Sequence, residues 1–208
     1  MRRCRSATED EMVALFLRTE ITSVRFRAKL LERLEKAGLP ESLLLAPDPL
    51  DAEANRTRRE LLGEYRGYGR DEDYFEGFPD NLRWEWELLT PEEVARVKYI
   101  DYSYWNELSG GTRLPSDAAP RIRAGIAPFG VSSERALSFA DTIANGASIP
   151  PMIFVAPEES GDLVVLEGHA RLTAYMLRPE ALPAELPVLV GYSPDIVKWG
   201  CYQPSSPN

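Results

Sequence analysis

Apolar positions along the chain fall into two regimes. Between residues 12 and 62 they recur at helical spacing, and between 149 and 190 they gather in short solid blocks. Thr8-Glu9-Asp10-Glu11 fits a capping box, with Met12, Leu15 and Phe16 following at helical intervals. A second helix is predicted over 22–36, carrying Val24, Leu30, Leu31 and Leu34, with Gly38 as its stop. A third fits 51–65, with Leu61 and Leu62 facing inward. Residues 66–89 mix Gly and Asp with Tyr68, Tyr74, Phe75, Phe78, Trp84 and Trp86 and show no clean period. They read as an irregular segment pinned by aromatics, or as a lid or acceptor pocket. Thr90-Pro91-Glu92-Glu93 repeats the helix-start logic, and 97–103 is a strand candidate rich in Val, Ile and Tyr.

The C-terminal third is more regular. A helix begins at Ser132 or Ser133 and runs to about Ala144. A buried strand is predicted over 149–155, a turn over 158–162, a short apolar strand over 163–166 and a helix over 168–177 stopped by Pro179. A strand over 187–190 and a last helix opening at Ser193-Pro194 complete the pattern. This alternation predicts a mixed α/β fold. The expected organisation is a mainly helical N-terminal region, 1–96, packed on an α/β core, 97–202, with a tail at 203–208.

Composition narrows the function. The 208 residues are 44% hydrophobic and 27% charged, ordinary values for a chain with a real core. No stretch offers the ~18 uncharged apolar residues of a membrane span. Met1-Arg2-Arg3-Cys4-Arg5 is basic, but a polar run follows where a signal peptide needs apolar residues. The two cysteines, Cys4 and Cys201, are too few for a disulfide framework or a Cys-only zinc site. A cytoplasmic protein without a membrane partner is expected. The net charge of −9 argues against a nucleic-acid partner, whose phosphates demand a basic surface. From Val131 onward four basic residues face nine acidic ones, so a site that needs positive charge has few to choose from.

Three features carry candidate chemistry. Glu167-Gly168-His169-Ala170-Arg171 spans the junction of an apolar strand and a helix, where unpaired N–H groups favour an anion. His169, the chain's single histidine, and Arg171 lie in that first turn. Arg135, Ser138 and Thr142 sit at i, i+3 and i+7 on one face of the preceding helix, as a polyphosphate-lining stripe or a plain solvated face. Ser109-Gly110-Gly111-Thr112-Arg113 is an anion loop or an ordinary turn, and it lacks the ending of a Walker loop.

On these residues, 134–199 resembles the ParB/sulfiredoxin superfamily. The order is a helix ending Ala140-Asp141-Thr142-Ile143, the strand Ile149-Pro150-Pro151-Met152-Ile153, a hairpin, an apolar strand, then Gly168-His169-Ala170-Arg171 leading into Leu172-Thr173-Ala174-Tyr175 and a final strand. The resemblance implies a nucleotide-binding core in which Gly168, His169, Arg171, Arg135, Ser138 and Thr142 hold ATP. His169 stands where sulfiredoxin has its catalytic cysteine, so sulfinic-acid reduction is not expected. Ala170 stands where the related motif has a second histidine, and Glu167 where kinase-like members have Asp. The expected function is phosphoryl transfer from ATP to a small-molecule acceptor. His169 or Glu167 would be the catalytic group, and Mg²⁺ would be carried mainly by the phosphates. Asp101 and Glu107 are weaker candidates for positioning the acceptor. The rival reading is a nucleotide-dependent switch of the ParB type, using ATP or CTP without turnover on a small molecule.

Overall fold

The computed structural model describes residues 1–202. Five strands are present among them: β1 (Arg2–Ala7), β2 (Arg83–Leu89), β3 (Met152–Ala156), β4 (Val164–Glu167) and β5 (Leu186–Tyr192). The longer N-terminal helices are α1 (Glu9–Thr22), α2 (Arg27–Lys36) and α4 (Ala52–Arg66), with the single turn α3 (Ser42–Leu45) between them. Then come α5 (Pro91–Val94), α6 (Ser103–Leu108), α7 (Pro115–Arg123), α8 (Glu134–Ala144) and α9 (His169–Leu177). No described helix is long and apolar enough to cross a membrane.

The strands form one mixed sheet in the order β1-β2-β5-β3-β4. β3 and β5 are parallel, and every other neighbouring pair is antiparallel. Alternation along the central strands builds a core on each face. Met152, Phe154, Val165, Val188 and Val190 join α7, α8 and α9 on one side. Ile153, Val155, Val164, Leu166 and Leu189 meet α1, α2, α3 and α4 on the other. The result is a three-layer α/β sandwich with the sheet between two helical layers.

Local chemistry explains the termini. The capping box at Thr8 forms, with Glu11 N–H on the threonine oxygen and the Glu11 carboxylate on Thr8 N–H. The same reciprocal pair opens α5 at Thr90. The 22–36 helix starts late, at Arg27, because α1 runs on to Thr22 and a turn at Ser23 redirects the chain.

The first 96 residues contribute two strands as well as helices. β1 buries almost none of its side chains, so no apolar pattern announces it. Its arginines hold it instead: Arg2 pairs with Glu185 at 2.9 Å, Arg3 with Glu85 at 2.5 Å and Arg5 with Glu11 at 2.6 Å. β2 lies inside the segment that reads as irregular. Its Glu85 and Glu87 are buried, ion-paired to Arg3 and Arg83 or hydrogen-bonded to Tyr192. The strand expected over 97–103 is an extended tether with a single bridge, Lys98 to Val164. Tyr99 N–H turns to Arg113 O and Asp101 N–H to Cys201 O, which prevents a ladder. The last predicted helix is a 3-10 segment, Pro194–Lys198, capped by Ser193. The expected tail at 203–208 lies outside the described residues.

Candidate functional site

β4 ends at Glu167, and Gly168 turns the chain into α9 at φ +117°, a left-handed conformation that side chains rarely adopt. A Cβ here would sit 2.6 Å from Met152 Cγ, so the turn packs against the first residue of β3. No side chain caps α9. Its first N–H groups therefore lack the acceptor that Thr8 and Thr90 supply to their helices.

Arg171, one turn into α9, points inward and is only 4% exposed. Its guanidinium donates to Pro150 O at 2.7 Å, to Pro151 O at 2.5 Å and to Glu167 Oε1 at 2.9 Å. These contacts staple the β4–α9 turn to the entrance of β3. The arginine that the sequence offers as a phosphate clamp is thus engaged within the protein, and so is Glu167.

His169 lies under an aromatic cover. Trp105 of α6 stacks on Tyr99 at 4.4 Å and on His169 at 5.1 Å, while the Tyr99 and His169 rings are nearly parallel with centroids 6.3 Å apart. The three centroids form a triangle rather than a row. Tyr104 meets Trp105 edge-on at 4.9 Å. The His169 Nε2 is sealed from solvent and has no hydrogen-bond partner among the described residues. Burial, aided by the charges of Arg171, Arg66 and Arg25, lowers the imidazole pKa to about 3, so His169 is neutral at pH 7. Its carbonyl accepts from Thr173 at 2.7 Å, and Thr173 shares a 2.6 Å hydrogen bond with Tyr99.

The N-terminal helices reach this turn from the other face of the sheet. Buried Glu20 of α1 pairs with Arg66 at the end of α4. The Arg66 guanidinium lies over Phe26, Tyr65 and Tyr74, at 4.5, 5.0 and 5.7 Å from their ring centres. Tyr74 donates through its hydroxyl to Leu166 O at 2.7 Å, two residues before Gly168.

The α8 stripe is solvent-facing: Arg135, Ser138 and Thr142 are all exposed. Thr142 donates back to Ser138 O at 2.9 Å, as a helical threonine often does. α8 packs against α9, and Asp141 pairs with Arg178 just past the α9 terminus. Ser109-Gly110-Gly111-Thr112-Arg113 is a self-bonded turn. Thr112 donates to Ser109 O, Ser109 Oγ accepts Arg113 N–H, and the Arg113 side chain donates to Tyr99 O at 2.8 Å. Arg113 is buried, so this segment braces the tether beneath Trp105. Asp101 is held by Asn106 at 2.6 Å, and Glu107 is exposed on α6.

Sequence reasoning missed two groups at this site, Trp105 and the Glu20–Arg66 pair. Trp105 lies four residues before the loop singled out for its glycines, and its aromatic character was the available signal. Glu20 and Arg66 carry no local signal, because only tertiary packing brings α1 and α4 to the end of β4. Among the described residues no three His, Cys, Asp or Glu side chains gather to hold a metal. Comparison with protein-family models, with curated proteins and with solved structures returns no match to this chain.

Proposed function

We propose that the chain binds the polyphosphate of a nucleoside triphosphate at the start of α9 and passes a phosphoryl group to a small-molecule acceptor. The observation that carries this reading is the uncapped, glycine-led start of α9 directly after a buried strand. Free N–H groups and the positive end of the helix favour phosphate oxygens there. The order α8, β3, β4, Gly168, α9, β5 supports a ParB/sulfiredoxin-type core for residues 134–199. The exposed Arg135, Ser138 and Thr142 are further candidate contacts on α8. With no metal-ligating cluster among the described residues, Mg²⁺ would ride on the phosphates of ATP.

In this reading the acceptor hydroxyl oxygen bonds to the transferred phosphorus as the bond to the leaving diphosphate breaks. His169 is too weak a base to take the acceptor's proton at pH 7, and its neutral ring serves as a hydrogen-bonding group. Glu167 is the carboxylate placed to receive that proton, with Arg171 fixing its orientation.

One observation favours the second reading, a nucleotide-dependent switch without turnover. Arg171 is already committed and His169 is held neutral, which suits ligand binding better than acid–base chemistry. The deciding experiment incubates the protein with Mg²⁺, γ-labelled ATP and pools of amino acids and metabolites. A labelled small molecule is expected. A nucleotide-dependent rise in melting temperature without product selects the switch. No shift with any nucleoside triphosphate at millimolar concentration overturns both.

A further inference from the structure

β1 and β3 differ in what holds them. Every side chain of β3 is buried, whereas in β1 only Ala7 is even partly covered. Apolar burial therefore contributes little to the place of β1. Its attachment is the antiparallel ladder to β2 and three ion pairs, Arg2–Glu185, Arg3–Glu85 and Arg5–Glu11. All three arginine side chains are more than half exposed, so salt screens these pairs and each is weak. The ladder is interrupted as well, because its register slips between Arg3 and Arg5.

The edge of β2 beneath it is of another kind. β2 pairs with β5 along its whole length, from Arg83–Tyr192 to Leu89–Leu186, so losing β1 leaves β2 in the sheet. That loss would uncover an unpaired row of N–H and C=O groups. It would also free three carboxylates from their arginines: Glu85 on β2, Glu11 on α1 and Glu185 just before β5. Glu85 is the most buried of them, and Arg83 would remain beside it. The segment seated there shows what fits. We propose that the outer edge of β2 is a strand-docking site for an extended, arginine-bearing peptide segment. β1 is its in-chain occupant, latched by charge and displaced without unfolding of the sheet. Ladder hydrogen bonds give such a site its affinity, and the carboxylates select arginine. Because β1 is tethered, its local concentration is high, and an outside segment enters only when the latch is loosened. The site lies at the opposite edge of the sheet from β4 and the start of α9, and it is independent of nucleotide binding.

The test is residue-resolved amide exchange on the full chain in about 0.01 M and about 1 M NaCl, between which the Debye length falls from about 30 to about 3 Å. Protection over residues 2–7 should drop about 10-fold in high salt, with β3 amides as the internal reference. Arg3→Gln should show the same drop in low salt. Arg5→Gln leaves Glu85 paired and takes its place if circular dichroism shows Arg3→Gln unfolded. A synthetic peptide of residues 1–7 carrying Cys4→Ser is then added to the opened variant in low salt. Protection of the β2 amides that face β1 should recover. A second peptide with Arg2, Arg3 and Arg5 all replaced by Gln should not restore it. Salt-independent exchange over 2–7, or exchange there that rises only together with β3, overturns the latch. No recovery with the arginine peptide, or equal recovery with both peptides, overturns the docking site.

Discussion

Glu167 and Arg171 meet at 2.9 Å across the first turn of α9, and the same guanidinium holds two proline carbonyls at the mouth of β3. This is a structural staple placed inside a candidate ligand site. Removing one member of a buried pair typically costs about 3–5 kcal/mol, because the other charge and its partners are left unsatisfied. Arg171→Ala is therefore expected to lower unfolding free energy by about that amount in denaturant titration. A loss below about 1 kcal/mol would show that water replaces the staple without penalty. The alanine variant is for this reason a poor probe of phosphate contact.

Gly168→Ala tests the turn itself. The backbone sits at φ +117°, and the added methyl would press on the Met152 side chain at 2.6 Å. Strain of this kind costs about 1–3 kcal/mol. Urea unfolding should register it as a lower midpoint with unchanged slope. A midpoint equal to wild type would mean that the turn relaxes freely.

His169 makes a clean pH probe because the chain has one histidine. An unfolded imidazole titrates near ~6.5, whereas the folded one is lowered to about 3. Below pH ~6.5 the unfolded state therefore binds more protons, and this group's contribution to stability declines as pH falls towards 3. Above ~6.5 it is constant. His169→Gln should be less pH-sensitive than wild type when unfolding is compared at pH 7 and pH 5. The single imidazole signal in NMR should stay neutral through that range, and a midpoint near ~6.5 would refute the neutral assignment. Trp105→Ala should move the midpoint upward by opening the ring to water.

Tyr74→Phe tests how the N-terminal helices hold β4. It deletes one 2.7 Å hydrogen bond and leaves Leu166 O without that donor. A loss of about 1–3 kcal/mol is expected, together with faster amide exchange at the β4–α9 turn. Unchanged exchange there would show that Tyr74 does not brace the site.

The C-terminal order was legible because its strands are buried on both faces and its helices carry glycine and proline stops. The 168–177 helix and the glycine that opens it are there. β1 and β2 were illegible for electrostatic reasons. β1 is exposed and held by its arginines, and the buried Glu85 and Glu87 of β2 pair with Arg3 and Arg83 or with Tyr192 instead of extending an apolar stripe. At the site, residue types were readable but side-chain directions were not. Arg171 looks like a ligand clamp until Pro150, Pro151 and Glu167 surround it.

The position of β5 has a consequence for how the chain is made. It joins β2 on one side and β3 on the other, yet it is the last of the described strands in chain order. Before residues 186–192 emerge, β1–β2 and β3–β4 are two separate pairs with no shared neighbour. Neither pair can bury both faces, so the sheet closes through contacts far apart in sequence, a topology associated with slow folding. Chains stalled short of β5 would expose apolar strand faces and unpaired edges to other chains during synthesis.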